Sequence, residues 1–90
     1  MEFEYDPAKS ASNKDKHGID FDEAQQIWLD EERIIVPTAW VEEERLLAIG
    51  KIAEKIWTAV FVYRFDRIRL MSVRRSRSEE VREYEKNLRG

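Results

Sequence analysis

The chain has no cysteine and only one histidine among its 90 residues. Without cysteine it can form no disulfide bond and has no thiolate that could act as a nucleophile or bind zinc. A single histidine also argues against a structural metal site, because such sites usually take several histidine or cysteine ligands. We therefore expect a protein without a metal ion or another cofactor.

Long apolar segments are missing as well. The longest, residues 56–63, is far shorter than the roughly 20 residues that a membrane-spanning helix needs. The acidic residues 1–6 do not resemble a secretory signal. There is no glycine-rich phosphate loop and no nucleophile-elbow motif. We expect residues 1–90 to form one cytoplasmic domain without membrane contact.

Charge is unevenly distributed along the chain, whose formal net charge is −3. Residues 64–77 contain six arginines and one acid, whereas residues 19–49 contain nine acids and two arginines. Such a distribution can provide one surface for polyanions and another for a basic partner. It is equally compatible with solvated charges that balance across the fold, so charge alone leaves the function open.

The order of segments with strand and helix periodicity predicts an α+β fold: a strand, two helices, four strands and a final helix. We expect a mainly antiparallel sheet of four to five strands. Residues 56–63 are apolar on both faces and should form a central strand. Residues 34–37 end in proline and should lie at an edge. Residues 64–67 should connect the last two strands as a hairpin.

Three helices are predicted from the residues at their ends. Gly18 should end the first helix in the left-handed conformation. The second helix should continue to about residue 30. The starts of the three helices are marked by Asp6 with Pro7, by Asp20 with Glu23, and by Ser76 with Glu79, the last two pairs having the spacing of a capping box.

The first helix carries a polar stripe. Lys9, Asn13 and Lys16 lie at positions i, i+4 and i+7 and so share one face, with His17 at its edge. Two ammonium groups, an amide and an imidazole on one stripe could face a phosphate. The alternative is a solvated outer face of a short amphipathic helix whose small residues pack inward.

The last strand carries arginines on both faces. Strict alternation groups Ile68, Leu70, Ser72 and Arg74 on one face and Arg67, Arg69, Met71, Val73 and Arg75 on the other. Either terminal arginine suits a phosphate, because a guanidinium donates two charge-assisted hydrogen bonds. Alternatively, both pair with acids of the next helix. Tyr84 on that helix is expected to pack in the core, although its hydroxyl could reach a cleft.

Several spaced segments resemble the BrnT family of toxins. The opening motif is carried by residues 3–9, Asn13, residues 16–19, Phe21 and residues 23–24, and later segments by residues 45–50, 56–69 and 72–75. Tyr5 stands where the family usually has tryptophan, and the chain is acidic where ribonuclease toxins are commonly basic. The resemblance covers nearly the whole chain.

This resemblance implies a RelE-like fold and a metal-independent endoribonuclease that inhibits translation. It also implies a BrnA-type antitoxin that neutralises the toxin in a hetero-oligomer. Antitoxins of this type carry a DNA-binding part, so operator DNA would be bound only through the complex. RNA would be the substrate.

For such an enzyme we expect the ribose 2′-hydroxyl to attack the phosphate and leave a 2′,3′-cyclic phosphate. Arg74 or Arg75 would stabilise the phosphorane, and Lys9 or Lys16 would hold the scissile phosphate. His17 suits a proton relay because an unperturbed histidine has a pKa of about 6.5. The remaining candidates are Tyr84 as a positioning residue and Lys16, Asn13, Arg64 and Arg69 as RNA contacts.

Two other functions remain open. The domain could be a non-catalytic module that docks on a basic antitoxin through the acidic residues 30–44, with Trp40 beside the acids. It could also be a structural domain of a larger assembly. The dependence of affinity on salt concentration distinguishes the first alternative from RNA binding, because contacts to several phosphates weaken steeply as the salt concentration rises.

Overall fold

The computed structural model describes residues 2–38 and 44–88. Its strands are β1 (Glu2–Glu4), β2 (Ile34–Pro37), β3 (Leu46–Ile52), β4 (Lys55–Arg64) and β5 (Arg67–Arg75). Its α-helices are α1 (Pro7–His17), α2 (Phe21–Ala24) and α3 (Ser78–Leu88), and a 3₁₀ helix (Gln25–Leu29) follows α2. The fold is α+β, as predicted. Trp40, which we had placed in the docking segment, lies outside the described residues.

The five strands form one sheet in the order β1-β5-β4-β3-β2. The strand β4 is central and β2 lies at an edge, both as predicted. The pairs β2–β3, β3–β4 and β4–β5 are antiparallel, whereas β1 pairs with β5 in parallel. The sheet is therefore mixed, with three antiparallel strand pairs and one parallel pair.

Both predicted ends of α1 and the predicted start of α2 are confirmed. The Asp6 carboxylate accepts a hydrogen bond from the Ala8 amide at 2.9 Å, and Gly18 has a φ of 77°. Asp20 and Glu23 form a complete capping box. The expected second helix is different, since α2 ends at Ala24 and continues as the 3₁₀ helix.

The 3₁₀ helix packs closely on the sheet. A methyl group at Gly50 of β3 would lie 2.9 Å from the Ile27 Cγ2 atom and 3.1 Å from the Ile27 carbonyl oxygen. Only a residue without a side chain therefore allows this approach. Gly50 thus fixes how near the 3₁₀ helix lies to β3.

The core lies on the face of the sheet that α1, α2 and the 3₁₀ helix cover. Phe21, Ile27 and Phe61 are at most 1% exposed. The Trp28 ring packs edge-on against Phe61, with centroids 5.2 Å apart, and against Phe3 at 5.1 Å. Trp28 is thus partly buried and packs against the core. Among the described residues, no helix is long and apolar enough to cross a membrane.

A β-bulge in β5 changes which arginines share a face. The register with β4 shifts between Val60 and Phe61, and Met71 has no partner in it. Leu70 and Val73 are consequently both buried in the core. The strict alternation that we expected is wrong beyond Leu70, because one extra residue reverses the side on which the following side chains point. As a result Arg74 and Ser72 leave the sheet opposite the core, although alternation had grouped them with Leu70.

The helix α3 covers only one end of the opposite face of the sheet. Ile49 and Thr58 are buried there at 1% and 0% exposure. Thr58 donates a hydrogen bond from its hydroxyl to the Glu80 carboxylate at 3.0 Å. The remainder of this face borders two concave surfaces, and these carry the candidate site.

Candidate functional site

Two adjoining pockets lie on the sheet face opposite the core. The first, called here the Arg74 pocket, has a volume of about 550 Å³ and includes Lys9, Ser72 and Arg74 in its lining. The second, called the Arg69 pocket, has a volume of about 720 Å³ and includes Arg64 and Arg69. The pockets are continuous, since they share the residues Pro37, Thr38, Arg45 and Met71.

The lining of the two pockets is predominantly basic. Among the residues that the structure describes, it contains two carboxylates, Glu44 and Glu80, and six basic side chains: Lys9, Arg45, Arg64, Arg69, Arg74 and Arg77. A concave surface with this excess of cations attracts a polyanion although the whole chain is acidic. Within residues 2–38 and 44–88, no group of three His, Cys, Asp or Glu side chains is arranged to hold a metal ion.

Arg74 is held in one orientation by Glu80. Its Nη1 and Nη2 atoms donate to the two carboxylate oxygens of Glu80 at 2.7 and 2.9 Å. The Nη1 atom also donates to the Arg75 carbonyl at 3.3 Å. The side chains of this ion pair are only 20% and 11% exposed, for Arg74 and Glu80 respectively. The guanidinium is therefore preorganised in the pocket lining.

Glu80 caps the start of α3, a role that the sequence pattern assigned to Glu79. Its carboxylate accepts the Arg77 amide at 2.8 Å, whereas the Ser76 hydroxyl bonds the Thr58 hydroxyl at 2.7 Å. The helix α3 begins at Ser78, one residue later than a cap at Ser76 predicts, so the cap shifts by one residue as well. Burial acts to raise the pKa of Glu80, but the bonds from Arg74, the Arg77 amide and Thr58 outweigh it and lower the pKa to about 2.

The polar stripe of α1 is divided between two environments. Lys9 is exposed and lines the Arg74 pocket. Asn13 is 7% exposed and bonds both backbone groups of Val73, donating to the carbonyl at 2.9 Å and accepting the amide at 3.2 Å. It does so because β1 pairs with β5 only as far as Arg69. Asn13 thus has a structural role at the sheet edge.

The other candidates on α1 and β5 lie away from the Arg74 pocket. Lys16 and His17 are exposed in the last turn of α1 and are not part of the pocket lining. Arg75 leaves β5 on the side opposite Arg74, and its guanidinium lies over the Trp57 ring at 5.5 Å from the centroid. Of the two adjacent arginines, Arg74 therefore lines the pocket and Arg75 does not.

Arg64 and Arg69 both line the Arg69 pocket, and their contact with RNA stays a prediction. Arg69 pairs with Glu4 of β1 at 2.8 Å, and Arg64 lies 4.0 Å from the same carboxylate. One carboxylate therefore faces two guanidinium groups, so this pair keeps an excess of positive charge.

Tyr84 faces the interior instead of a pocket. It is 3% exposed, and its hydroxyl donates to the Asp30 carboxylate at 2.6 Å. Asp30 also accepts the Lys51 amide at 2.8 Å. Burial, followed by the bond to Asp30, raises the pKa of Tyr84 to about 12. Tyr84 therefore ties α3 to the end of the 3₁₀ helix.

We expect Tyr84→Phe to lower the free energy of unfolding by about 1–2 kcal/mol, because the partly buried Asp30 carboxylate loses a hydrogen bond. Urea denaturation measures this loss. Tyr63→Phe is the matched control, since Tyr63 is 56% exposed. RNA cleavage by folded Tyr84→Phe should equal that of the wild type, and a selective loss of cleavage would place Tyr84 in the reaction.

A comparison with protein families identifies the chain. The family model of BrnT, the ribonuclease toxin of type II toxin–antitoxin systems, matches residues 5–80. The chain belongs to this family. No individually curated protein matches it. As a BrnT toxin it is a ribonuclease whose partner is an antitoxin protein. The matched residues include the described lining of both pockets, whereas Tyr84 lies beyond them.

The lining of the BrnT pockets includes residues that had not been predicted for the site, among them Arg45, Ser72 and Arg77. Arg45 and Arg77 flank β3 and α3, where a basic side chain also has a purely solvated explanation. Ser72 was assigned to the same face as Leu70, and only the bulge moves it to the pocket. The sequence could have pointed to Arg77 as a site residue, because Arg77 belongs to the same arginine-rich segment as Arg74.

Proposed function

We propose that the chain is a metal-independent endoribonuclease that inhibits translation by cleaving RNA. The observation that carries this proposal is the Arg74 pocket, where Lys9, Arg74 and Arg77 converge on a concave surface of a BrnT toxin. These cations supply the positive charge that a metal ion provides in other nucleases.

The proposed reaction needs only groups of the RNA, the pocket and water. The 2′-oxygen forms a bond to phosphorus and gives its proton to water. The bond from phosphorus to the 5′-oxygen breaks, and that oxygen takes a proton from water. Arg74 and Lys9 stabilise the negative charge that develops on the phosphorane. The products are a 2′,3′-cyclic phosphate and a 5′-hydroxyl.

His17 has a smaller part in this scheme than the sequence suggested. It lies eight residues after Lys9 on α1, which is about 12 Å along the helix axis. It is also outside the lining of the Arg74 pocket. We therefore assign the main rate acceleration to charge stabilisation in the pocket.

The proposed partner is a BrnA-type antitoxin that forms a hetero-oligomer with the toxin. We propose that it neutralises the ribonuclease and that operator DNA binds only through its DNA-binding part. The exposed acidic residues Glu31 and Glu32 support this proposal, because they suit a basic segment.

The test is cleavage of end-labelled RNA by the purified protein in excess EDTA, with and without ribosomes. We expect cleavage under these conditions and 2′,3′-cyclic phosphate ends by mass spectrometry. The control is the same reaction with Mg²⁺ in place of EDTA, which should give the same ends. Cleavage that EDTA abolishes would contradict the metal-independent reaction, and an absence of cleavage in every condition would contradict the enzyme.

A second candidate function, a non-catalytic module for a basic antitoxin, is favoured by one exposed surface. Leu29 is 81% exposed and Ile35 is 40% exposed, and the exposed carboxylates Glu31 and Glu32 lie between them in the chain. Exposed apolar side chains and exposed carboxylates in one segment suit a basic protein partner. Binding through this surface should depend weakly on salt, whereas RNA binding should weaken steeply.

A further inference from the structure

The turn between β4 and β5 presents an aromatic ring to solvent. Phe65 is 93% exposed. Its φ is 59°, in the left-handed region that bulky residues rarely adopt and glycine adopts freely. A phenylalanine in this backbone conformation lowers the stability of the fold. Because its ring is exposed, burial does not offset this cost. A glycine or asparagine would suit the isolated fold better.

The hairpin between β3 and β4 shows that a turn residue with a positive φ does not need an aromatic side chain. Ala53, between β3 and β4, has a φ of 56° and only a methyl side chain. The aromatic pairs among the described residues involve Phe61 and Tyr63 next to the turn, but not Phe65. The Phe65 ring is thus available to a ligand.

The residues around the ring carry both signs of charge, since Asp66 follows Phe65 in the turn and Arg67 pairs with Glu2 at 3.2 Å. Arg64 and Arg67 flank the turn, and their side chains are 57% and 56% exposed. Arg64 also lines the Arg69 pocket, which continues into the Arg74 pocket. An exposed aromatic ring between arginines is the arrangement that binds single-stranded nucleic acid, because the ring stacks on a base while the cations meet phosphates. Because Arg64 joins the turn to the basic pockets, the structure favours RNA over a basic antitoxin as the ligand of this ring.

We propose that Phe65 is a stacking subsite for an unpaired base of the RNA substrate, at the opposite end of β5 from Arg74. This inference rests on the proposed function. Arg67 and Arg74 are seven residues apart on β5, which corresponds to roughly 23 Å. A single strand with its scissile phosphate at Arg74 passes the Arg69 pocket and places a base several nucleotides away on Phe65.

The test uses Phe65→Gly, which removes the ring and suits the backbone of the turn. The probe is a single-stranded 2′-O-methyl RNA, which binds but lacks the attacking hydroxyl. We expect the dissociation constant to rise about tenfold in Phe65→Gly and to stay near the wild-type value in Phe65→Trp. The control Ala53→Gly should bind the probe as the wild type does. An abasic probe should bind wild type and Phe65→Gly equally.

The outcomes separate this inference from the proposed function. Wild-type affinity in Phe65→Gly, with normal RNA cleavage, would overturn the stacking subsite and leave the ribonuclease intact. Normal RNA affinity with weakened neutralisation by the antitoxin would place the ring in a protein interface and also overturn it. A wild-type protein that neither binds nor cleaves RNA would overturn both. Thermal unfolding should show Phe65→Gly to be at least as stable as the wild type.

Discussion

Replacing Arg74 by alanine is expected to slow RNA cleavage by about 10²–10³-fold, the usual effect of removing one preorganised donor to a transition state. Arg74 lines the pocket, and Glu80 fixes its guanidinium through two hydrogen bonds. Single-turnover cleavage of labelled RNA measures the rate of the chemical step. Arg74→Lys should recover only part of the activity, because an ammonium does not reproduce the guanidinium geometry.

Arg75→Ala is the matched control for this experiment. Arg75 is adjacent in sequence and equally charged, but its guanidinium lies over Trp57 on the opposite side of the sheet. Its loss should leave the chemical step unchanged. Because Arg74→Ala strands the buried Glu80 carboxylate, rates must be compared at a temperature where circular dichroism shows both variants folded. Loss of cleavage in Arg75→Ala alone would contradict the assignment of the site to Arg74.

Local signals in the sequence predicted much of the fold. Asp6 and Gly18 end α1 as expected, and the Asp20–Glu23 box begins α2. The hairpin at residues 64–67 and the edge position of β2 are also confirmed. In each case the residues that determine the structure are neighbours in the chain, so the sequence shows the interaction directly.

The features that were missed depend on contacts between distant segments. Asn13 turns inward because it completes the hydrogen bonding of Val73, 60 residues away. The bulge at Met71 arises from the register between two strands, and the cap of α3 uses Glu80 because that carboxylate also meets Arg74 and Thr58. No periodicity within one segment reveals such contacts.

The same distinction applies to the site. Lys9, Arg64, Arg69 and Arg74 line the pockets, whereas Lys16, His17 and Arg75 do not. Residue chemistry selected suitable cations, but their gathering on one surface depends on sheet order and on the bulge. Helical spacing alone could not separate Lys9 from Asn13, because it does not say which face of α1 meets β5.

Stability between about pH 4.5 and pH 2 should depend on Glu80. Its pKa is lowered from 4.5 to about 2 in the folded protein, so folding favours the charged carboxylate. The resulting stabilisation is complete above the unfolded pKa and disappears as pH falls through the folded one. Such a shift corresponds to at most about 3 kcal/mol. Since Arg74 is partly exposed, we expect about 2 kcal/mol after allowing for solvent screening.

Glu80→Gln should therefore lower the free energy of unfolding by about 2–3 kcal/mol at pH 7, because the amide presents a donor to Arg74 where the carboxylate accepts. Urea denaturation from pH 7 to pH 2 should show the difference from wild type shrinking below pH 4.5. Glu79→Gln is the control, as the neighbouring Glu79 is exposed and should shift stability little at any pH. A difference for Glu80→Gln that is constant with pH would mean that its effect arises from packing and not from the charge that holds Arg74.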